Sequence, residues 1–323
     1  IPGGAQVDTI TGGGEVDTIA GGAGNDIITA GAGNDIITVD FGTDTVLDLG
    51  GAGSGGESDV VIVAAGATLN ATGVISFTAT SATKNNSTGA GNATLTAADG
   101  GNRTISVAAA TGSSKAFTLT GGNGNDTLTG GAGTDIITGS AGNDIITGGA
   151  GNDIITVDVG TDTVLDLGGA GGDEDDVVVI EAGATLAATG IAGFTATNVT
   201  TNKSTGAGNA TLTAKADAAV TINVSGAKSD SKGFTLEGGS GTGNDILTGG
   251  AGADIITGGA QVDTITGGGE VDTIAGGAGN DIITGGAGND IITVDVGTDT
   301  VLDLGGAGGD EDDVVVIESG ATL

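Results

Sequence analysis

An aspartate recurs every nine residues in three runs of this chain, and that regularity constrains its fold more than any other feature. The runs are Asp8, Asp17, Asp26, Asp35 and Asp44; Asp126, Asp135, Asp144, Asp153 and Asp162; and Asp245, Asp254, Asp263, Asp272, Asp281, Asp290 and Asp299. The residue two positions after each is a large aliphatic, from Ile10 and Ile19 through Leu128 and Ile137 to Ile292 and Val301. In its clearest form, over 276–293, the unit reads GGAGNDIITGGAGNDIIT. The first six residues suit positive φ and close backbone approach, whereas Ile-Ile-Thr favours a pleated strand. Each unit is therefore expected to be a tight turn followed by a very short strand. One such strand cannot bury its own aliphatic side chain, but stacked strands bury a column of them, so the units must form arrays.

Stacking also aligns carboxylates in columns with no basic residue nearby, which costs stability unless a cation neutralises them. Aspartates and turn carbonyls are hard oxygen donors on flexible loops, a set that favours Ca2+ over Mg2+ and over softer transition metals. The absence of Cys and His removes disulfides, thiol nucleophiles, imidazole acid–base chemistry and nitrogen or sulfur metal sites.

The unit GGxGxDxUx, with U a large aliphatic, resembles the calcium-binding nonapeptide of the RTX (repeats-in-toxin) family. All its Gly and Asp positions are matched at 21–26, 121–126, 130–135, 148–153, 249–254, 276–281 and 285–290. The resemblance implies an all-β fold, a parallel β-roll or β-solenoid in which two units make one coil and Ca2+ sits between loops two units apart. That places Asp8 against Asp26, Asp17 against Asp35 and Asp26 against Asp44. It makes all the repeat aspartates named above metal ligands and allows three, three and five sites in the successive arrays.

Some units depart from the pattern. Gln6, Glu15, Gln261 and Glu270 stand where the fourth-position Gly belongs, so weaker binding is expected there unless the Glu side chains supply an extra oxygen. In 39–47, 157–165 and 294–302, Asp40, Asp158 and Asp295 replace a Gly. These read as units that end an array, and the case for metal at Asp44, Asp162 and Asp299 rests on less of the motif.

The arrays and their exit strands divide the chain into 3–69, 121–186 and 238–323, separated by Thr- and Ala-rich spacers at 70–120 and 187–237. The spacers repeat each other, since STGAGNATLTA begins at both Ser87 and Ser204. Spacers of about fifty residues are short for independent sandwiches, so they are expected to continue the solenoid as further coils. Residues from Gly259 onward copy those from Gly4, and the chain runs from IPGG to SGATL, where a third spacer would begin. A segment of a longer repetitive protein is expected, with no visible signal sequence or C-terminal export signal.

A formal charge of −34, with all seven Lys and Arg in the spacers, argues against nucleic acid and against adsorption to anionic lipid. No apolar run reaches the length of a membrane span. If the aliphatic two after each Asp points inward, Ile27, Ile36, Ile136, Ile145, Ile154, Ile246, Ile255, Ile282 and Ile291 point outward among threonines. These rows suggest self-association by lateral packing, although scattered apolar residues on such a face are also ordinary.

The expected function is that of a calcium-folded extracellular structural protein of a bacterial surface, in an S-layer, filament or sheath. It would be exported unfolded by type I secretion, as the resemblance implies, and fold where Ca2+ is abundant. The alternatives are the extender region of a giant RTX adhesin and the repeat domain of a secreted toxin or enzyme. An ice-binding face is disfavoured because Ile interrupts the threonine columns. Binding to cell-surface polysaccharide or to a host surface would lie in regions outside this sequence. No catalytic constellation is present, and no enzymatic activity is expected.

Overall fold

A computed structural model describes residues 1–50, 57–88, 92–168, 175–204, 210–228, 230–304 and 312–323. Parts of the exit loops and of the STGAGN copies thus lie outside the described residues. The chain forms two compact units, Ile1–Thr156 and Val157–Leu323. No α-helix occurs among the described residues, and every strand pairing is parallel.

In the first unit, successive nonapeptides alternate between two faces. Thr9–Gly13, Ile27–Gly31 and Gly42–Val46 stack on one, while Thr18–Ala20 and Ile36–Val39 stack on the other. Ile10 lies opposite Ile28, and Ile19 opposite Ile37, a step of 18 residues and therefore one coil. Short strands arise because each Ile-Ile-Thr is bounded by glycines, and alternation sends the second Ile inward, where Ile19, Ile28 and Ile37 are fully buried.

The spacer continues this ladder. Gly42 of the array pairs with Ala67 in Ala67–Val74, Leu95 of Ala93–Ala97 pairs with Ala71, and Leu119 of Thr118–Asn123 pairs with Leu95. The step lengthens to 24 or 25 residues because the coil gains a third side. That side opens with Ser76–Thr78 and Thr104–Ser106, which lead into Thr127–Thr129 and Ile145–Thr147. Meanwhile the face of Ile36–Val39 passes to Val60–Val63 and ends at Lys84–Asn85. The spacer therefore exchanges one face of the roll for another while the remaining face runs through.

The second unit repeats the device. Gly160–Val164, Ala184–Ile191, Ala210–Ala214 and Thr235–Glu237 carry a continuous face into Ile255–Ala260, Thr273–Ala278 and Ile291–Val294. The face of Val177–Ile180 ends at Thr201–Asn202, and a new one begins at Phe194–Thr195 and runs through Thr221–Asn223 to Ile246–Thr248, Thr264–Gly269 and Ile282–Ala287.

Side chains explain where the exchange happens. Phe77 and Phe194, both buried, start the new faces and stack in register on Ile105 and Ile222. Asn85 and Asn202, fully buried, close the old ones. The Asn202 amide nitrogen donates to the Gly233 carbonyl at 2.6 Å, and its oxygen accepts the Ser204 N–H at 3.0 Å. Asn85 does the same with the Ala116 carbonyl and with the N–H of Ser87. A buried amide satisfied at both ends ends a strand face without leaving backbone polar groups bare. We expect Ile28→Ala to cost about 3 kcal/mol in saturating calcium, through the lost contacts and the cavity left behind. The outward Ile27→Ala should stay within about 0.5 kcal/mol; urea unfolding of both variants checks the contrast.

Candidate metal centre

Most repeat aspartates sit on the loop that leads into a strand, while Asp44 and Asp162 lie within Gly42–Val46 and Gly160–Val164, and adjacent coils hold them in place. The N–H of Asp8 donates to Asp26 Oδ1 at 2.8 Å, that of Asp17 to Asp35 Oδ1 at 2.8 Å, and that of Asp26 to Asp44 Oδ1 at 3.0 Å. The same bond joins Asp126 to Asp144 and Asp135 to Asp153, and in the second unit it runs from Asp245 to Asp263, Asp254 to Asp272, Asp263 to Asp281, Asp272 to Asp290 and Asp281 to Asp299. Asparagines before the aspartates add a parallel bond: Asn25, Asn125 and Asn280 each accept the N–H of the residue 18 positions on, at 2.9 to 3.0 Å. The structure brings together aspartates two units apart and separates neighbours such as Asp8 and Asp17, whose strands belong to different faces. Of the seventeen, Asp8 and Asp17 are half-buried and the others are buried.

Where a coil precedes the aspartate, one carboxylate oxygen is thus committed to the backbone. Asp135 and Asp254 commit the second as well, to the N–H groups of Gly131 and Gly250 at 2.6 and 2.7 Å, but at other aspartates the second oxygen poses the chemical problem. The Oδ2 atoms of Asp26, Asp35, Asp44, Asp126, Asp263, Asp272, Asp281 and Asp299 are buried and accept no hydrogen bond. In the Gly-led units, such as those of Asp26, Asp126 and Asp263, space is left around this oxygen by the first glycine, whereas Ala30, Val39 and Val294 stand there in the units of Asp35, Asp44 and Asp299. A Cβ built on Gly21 would lie 2.8 Å from Asp26 Oδ2 and 3.1 Å from Asp44 Oδ2. On Gly121 or Gly258 it would lie 2.7 Å from the Oδ2 of Asp126 or Asp263 and closer still to the carbonyl oxygen of Gly139 or Gly276. Carboxylate and carbonyl oxygens therefore converge on a cradle that a methyl group would fill, and the carboxylate oxygens there accept no hydrogen bond. That is the donor set of a hard, oxygen-seeking cation, and Ca2+ fits it. Among the described residues no three carboxylates converge, so the rest of such a shell would come from backbone carbonyls.

Magnitudes show why a cation is needed. A buried Ile contributes roughly 2 kcal/mol per unit, while an uncompensated buried carboxylate costs several kcal/mol. Hydrophobic burial alone does not stabilise the arrays. The metal-free carboxyls show the strain: burial pushes Asp135, Asp254 and Asp263 up to about 6. Burial, joined by the like charges of Asp254, Asp290 and Glu270, pushes Asp272 up to about 8. Asp135 and Asp254 begin their ladders beneath Phe117 and Phe234, whose N–H groups take the place of an Asp N–H at 2.6 Å.

The irregular units find physical roles. The fourth position is left-handed in Gly24, Gly33 and Gly124 (φ 145°, 139° and 134°), and Gln261 and Glu270 also hold positive φ (82° and 68°). Backbone strain at each of these two costs about 1 kcal/mol. Asp40 and Asp295 accept the N–H groups of Gly22 and Gly277 at 3.2 and 3.0 Å, tying the end-of-array unit to the coil before it. Three aspartates outside the nine-residue pattern also join the ladders. Asp59 and Asp313 accept the N–H groups of Asp35 and Asp290 at 2.9 Å through Oδ1, and buried Asp176 accepts the Gly168 N–H at 2.7 Å. The exit loop stretches the step from 18 to 24 residues at Asp35 to Asp59 and hides them from the period. Their signal is the aliphatic two residues on, Val61 and Val178, both fully buried.

Substitution of a cradle glycine should act directly on the ion. Gly258→Ala places a methyl group between Asp263 Oδ2 and the Gly276 carbonyl and should weaken calcium at that loop by roughly tenfold, the scale of an overpacking penalty, as read by calorimetric titration. In chelator, the raised carboxyls mean that the folded chain holds protons the unfolded chain has released. Stability of the metal-free roll is then fully present below about pH 4, where unfolded Asp titrates, and is lost as pH rises through the folded values of about 6 to 8. With calcium the dependence reverses, because acid protonates the ligands. Thermal melts from pH 4 to 8, with and without calcium, should slope in opposite directions.

The family description RTX calcium-binding nonapeptide repeat (4 copies) matches residues 3–26, 11–46, 118–146, 129–164, 235–274 and 266–301. These matches cover the three aspartate arrays and leave most of each spacer unmatched. No curated protein matches the chain. With the glycine cradles at Gly21, Gly121 and Gly258 and the orphaned oxygens of Asp26, Asp126 and Asp263 inside the matched segments, the chain is an RTX-type repeat protein.

Proposed function

We propose that this chain is a calcium-folded structural protein of an extracellular bacterial surface assembly, such as an S-layer, filament or sheath. The observation that carries the reading is the ladder of buried carboxylates, in which the second oxygens of Asp26, Asp35, Asp44, Asp126, Asp263, Asp272, Asp281 and Asp299 accept no hydrogen bond. Such a fold is stable where calcium is plentiful and strained where it is scarce, as suits a chain exported unfolded and ordered outside the cell. No helix among the described residues is long and apolar enough to cross a membrane. The perturbed carboxyls all belong to the ladders, which supports a structural rather than an enzymatic role.

Self-association is supported by the outward positions. Ile27, Ile36, Ile145, Ile154, Ile246, Ile255, Ile282 and Ile291 are exposed, while Ile136 is half-buried. In the second unit they alternate with threonine in register, Ile246 beside Thr264 and Thr264 beside Ile282. The result is an uncharged, regular surface of the kind that packs against a copy of itself.

A calcium titration of the purified chain, followed by circular dichroism and by particle size together, tests the proposal. Cooperative gain of β-structure with growth into sheets or filaments is the expected result, and replacing Ile27, Ile36, Ile145 and Ile154 by Thr should suppress the growth while sparing the folding. The same gain with a monodisperse rod would favour an adhesin extender. No calcium response would remove the basis of both.

A further inference from the structure

The exit loop of the first array carries a pair of oxygens that the nonapeptide pattern does not account for. Asp35 is fully buried, its Oδ1 accepts the Asp17 N–H at 2.8 Å, and its Oδ2 is buried without a donor. Glu57, on the following coil, also holds a buried carboxylate oxygen, Oε2, with no hydrogen-bond partner. The two coils are stacked as regular units are, despite the inserted residues between them. The Asp35 N–H donates to Asp59 Oδ1 at 2.9 Å, the Ser58 N–H donates to Asn34 Oδ1 at 2.8 Å, and Ile36 pairs with Val60. Glu57 thus occupies the fourth position of a loop outside the matched repeats, two residues before its ladder aspartate.

The neighbouring acids do not compete for this place. Asp59 is satisfied at both oxygens, the second by the Gly50 N–H at 2.8 Å, and Asp48 is satisfied by the N–H groups of Ala30 and Gly31, both at 2.8 Å. Two orphaned oxygens therefore remain, from Asp35 and Glu57. The register of Ile36 with Val60 and of Asp35 with Asp59 sets Glu57 on the coil directly beside the loop of Asp35. No Lys or Arg lies between Ile1 and Thr83 to neutralise the pair.

We propose that Glu57 and Asp35 form a further calcium site at the exit of the first array, in which a glutamate from outside the nonapeptide pattern supplies a ligand oxygen. The inference rests on the calcium reading of the arrays. In this site Glu57 Oε2 and Asp35 Oδ2 hold a hard divalent cation, anchoring the exit coil to the array. The triplet Glu-x-Asp recurs in the sequence at the exits of the other two arrays, 174–176 and 311–313.

The test is equilibrium dialysis of the full chain against calcium, with bound metal counted by atomic emission, for wild type, Glu57→Gln and the repeat variant Asp263→Asn. Glu57→Gln keeps size and polarity and removes the charge. It is expected to lose about one ion per chain, or to weaken one site by at least tenfold, while the remaining sites keep their affinity. Hydrogen exchange read over 57–63 supplies a second measurement, because calcium should protect these amides in wild type and fail to do so in Glu57→Gln. Unchanged stoichiometry, affinity and protection in Glu57→Gln would overturn the site while leaving the arrays intact. A wild type that binds no calcium, with Asp263→Asn indistinguishable from it, would instead overturn the reading of the arrays themselves.

Discussion

Everything in this fold depends on the cost of burying a carboxylate with half of its hydrogen-bonding capacity unused. From the second coil of an array onward, a ladder aspartate gives one oxygen to the N–H of the coil before it, a bond that fixes the register between coils together with the strand pairing. At Asp26, Asp126 and Asp263 among others, the second oxygen is turned into a space closed by glycines and carbonyls. In water that oxygen would be solvated; here it is not, and one buried aliphatic per nine residues is too little to offset the loss. The residues that define the coil are therefore the residues that make it conditional on a cation.

The glycine content follows from the same constraint. At Gly21 a side chain would collide with the oxygens of Asp26 and Asp44, and at Gly24, held at φ 145°, it would run into the carbonyl of Gln6 on the adjacent coil. One glycine keeps the ion's place open and the other lets two backbones approach. Their roles differ, which is why Gln261 and Glu270 are tolerated at the fourth position, where backbone strain is the main cost. A side chain at the first position instead intrudes on the carboxylate oxygen, as the 2.8 Å from a Cβ on Gly21 to Asp26 Oδ2 measures, although Ala30 holds that position in the unit of Asp35.

The arrays were legible in the sequence because their constraints are local and periodic. A nine-residue step with an aliphatic two after each Asp specifies strand, turn, inward face and column at once, and the parallel coils, the pairing of Asp8 with Asp26 and the exposed Ile27 and Ile36 follow it. Continuation of the solenoid through the spacers was expected from their length and is what the register from Gly42 to Ala67 and from Leu95 to Leu119 displays. The exchange of faces was not legible, because it depends on which non-local strand Ser76–Thr78 or Lys84–Asn85 meets, and no period records that choice. Asp59 and Asp176 were missed for a related reason: an insertion broke the count while the stacking preserved the ladder.

The spacers also differ energetically from the arrays they join. Among the described residues, no buried unpaired carboxylate lies in 60–120 or 187–237, whereas Phe77, Leu95, Phe117, Leu212 and Phe234 are buried there and Asn85 and Asn202 are satisfied. These coils gain more from apolar burial and depend less on a cation. Since a solenoid's stability is a sum over coils and their nearest neighbours, metal-dependent and metal-independent segments alternate along each unit. Phe117 and Phe234 mark the seam, each sitting one coil before the first carboxylate of its ladder and donating its N–H to it. The ladder then begins on a surface already ordered by hydrophobic contact, so the first ion of an array meets a preformed wall on one side and must order the loop on the other. Cooperative folding along the array is the consequence: each bound cation fixes the coil that the next one needs.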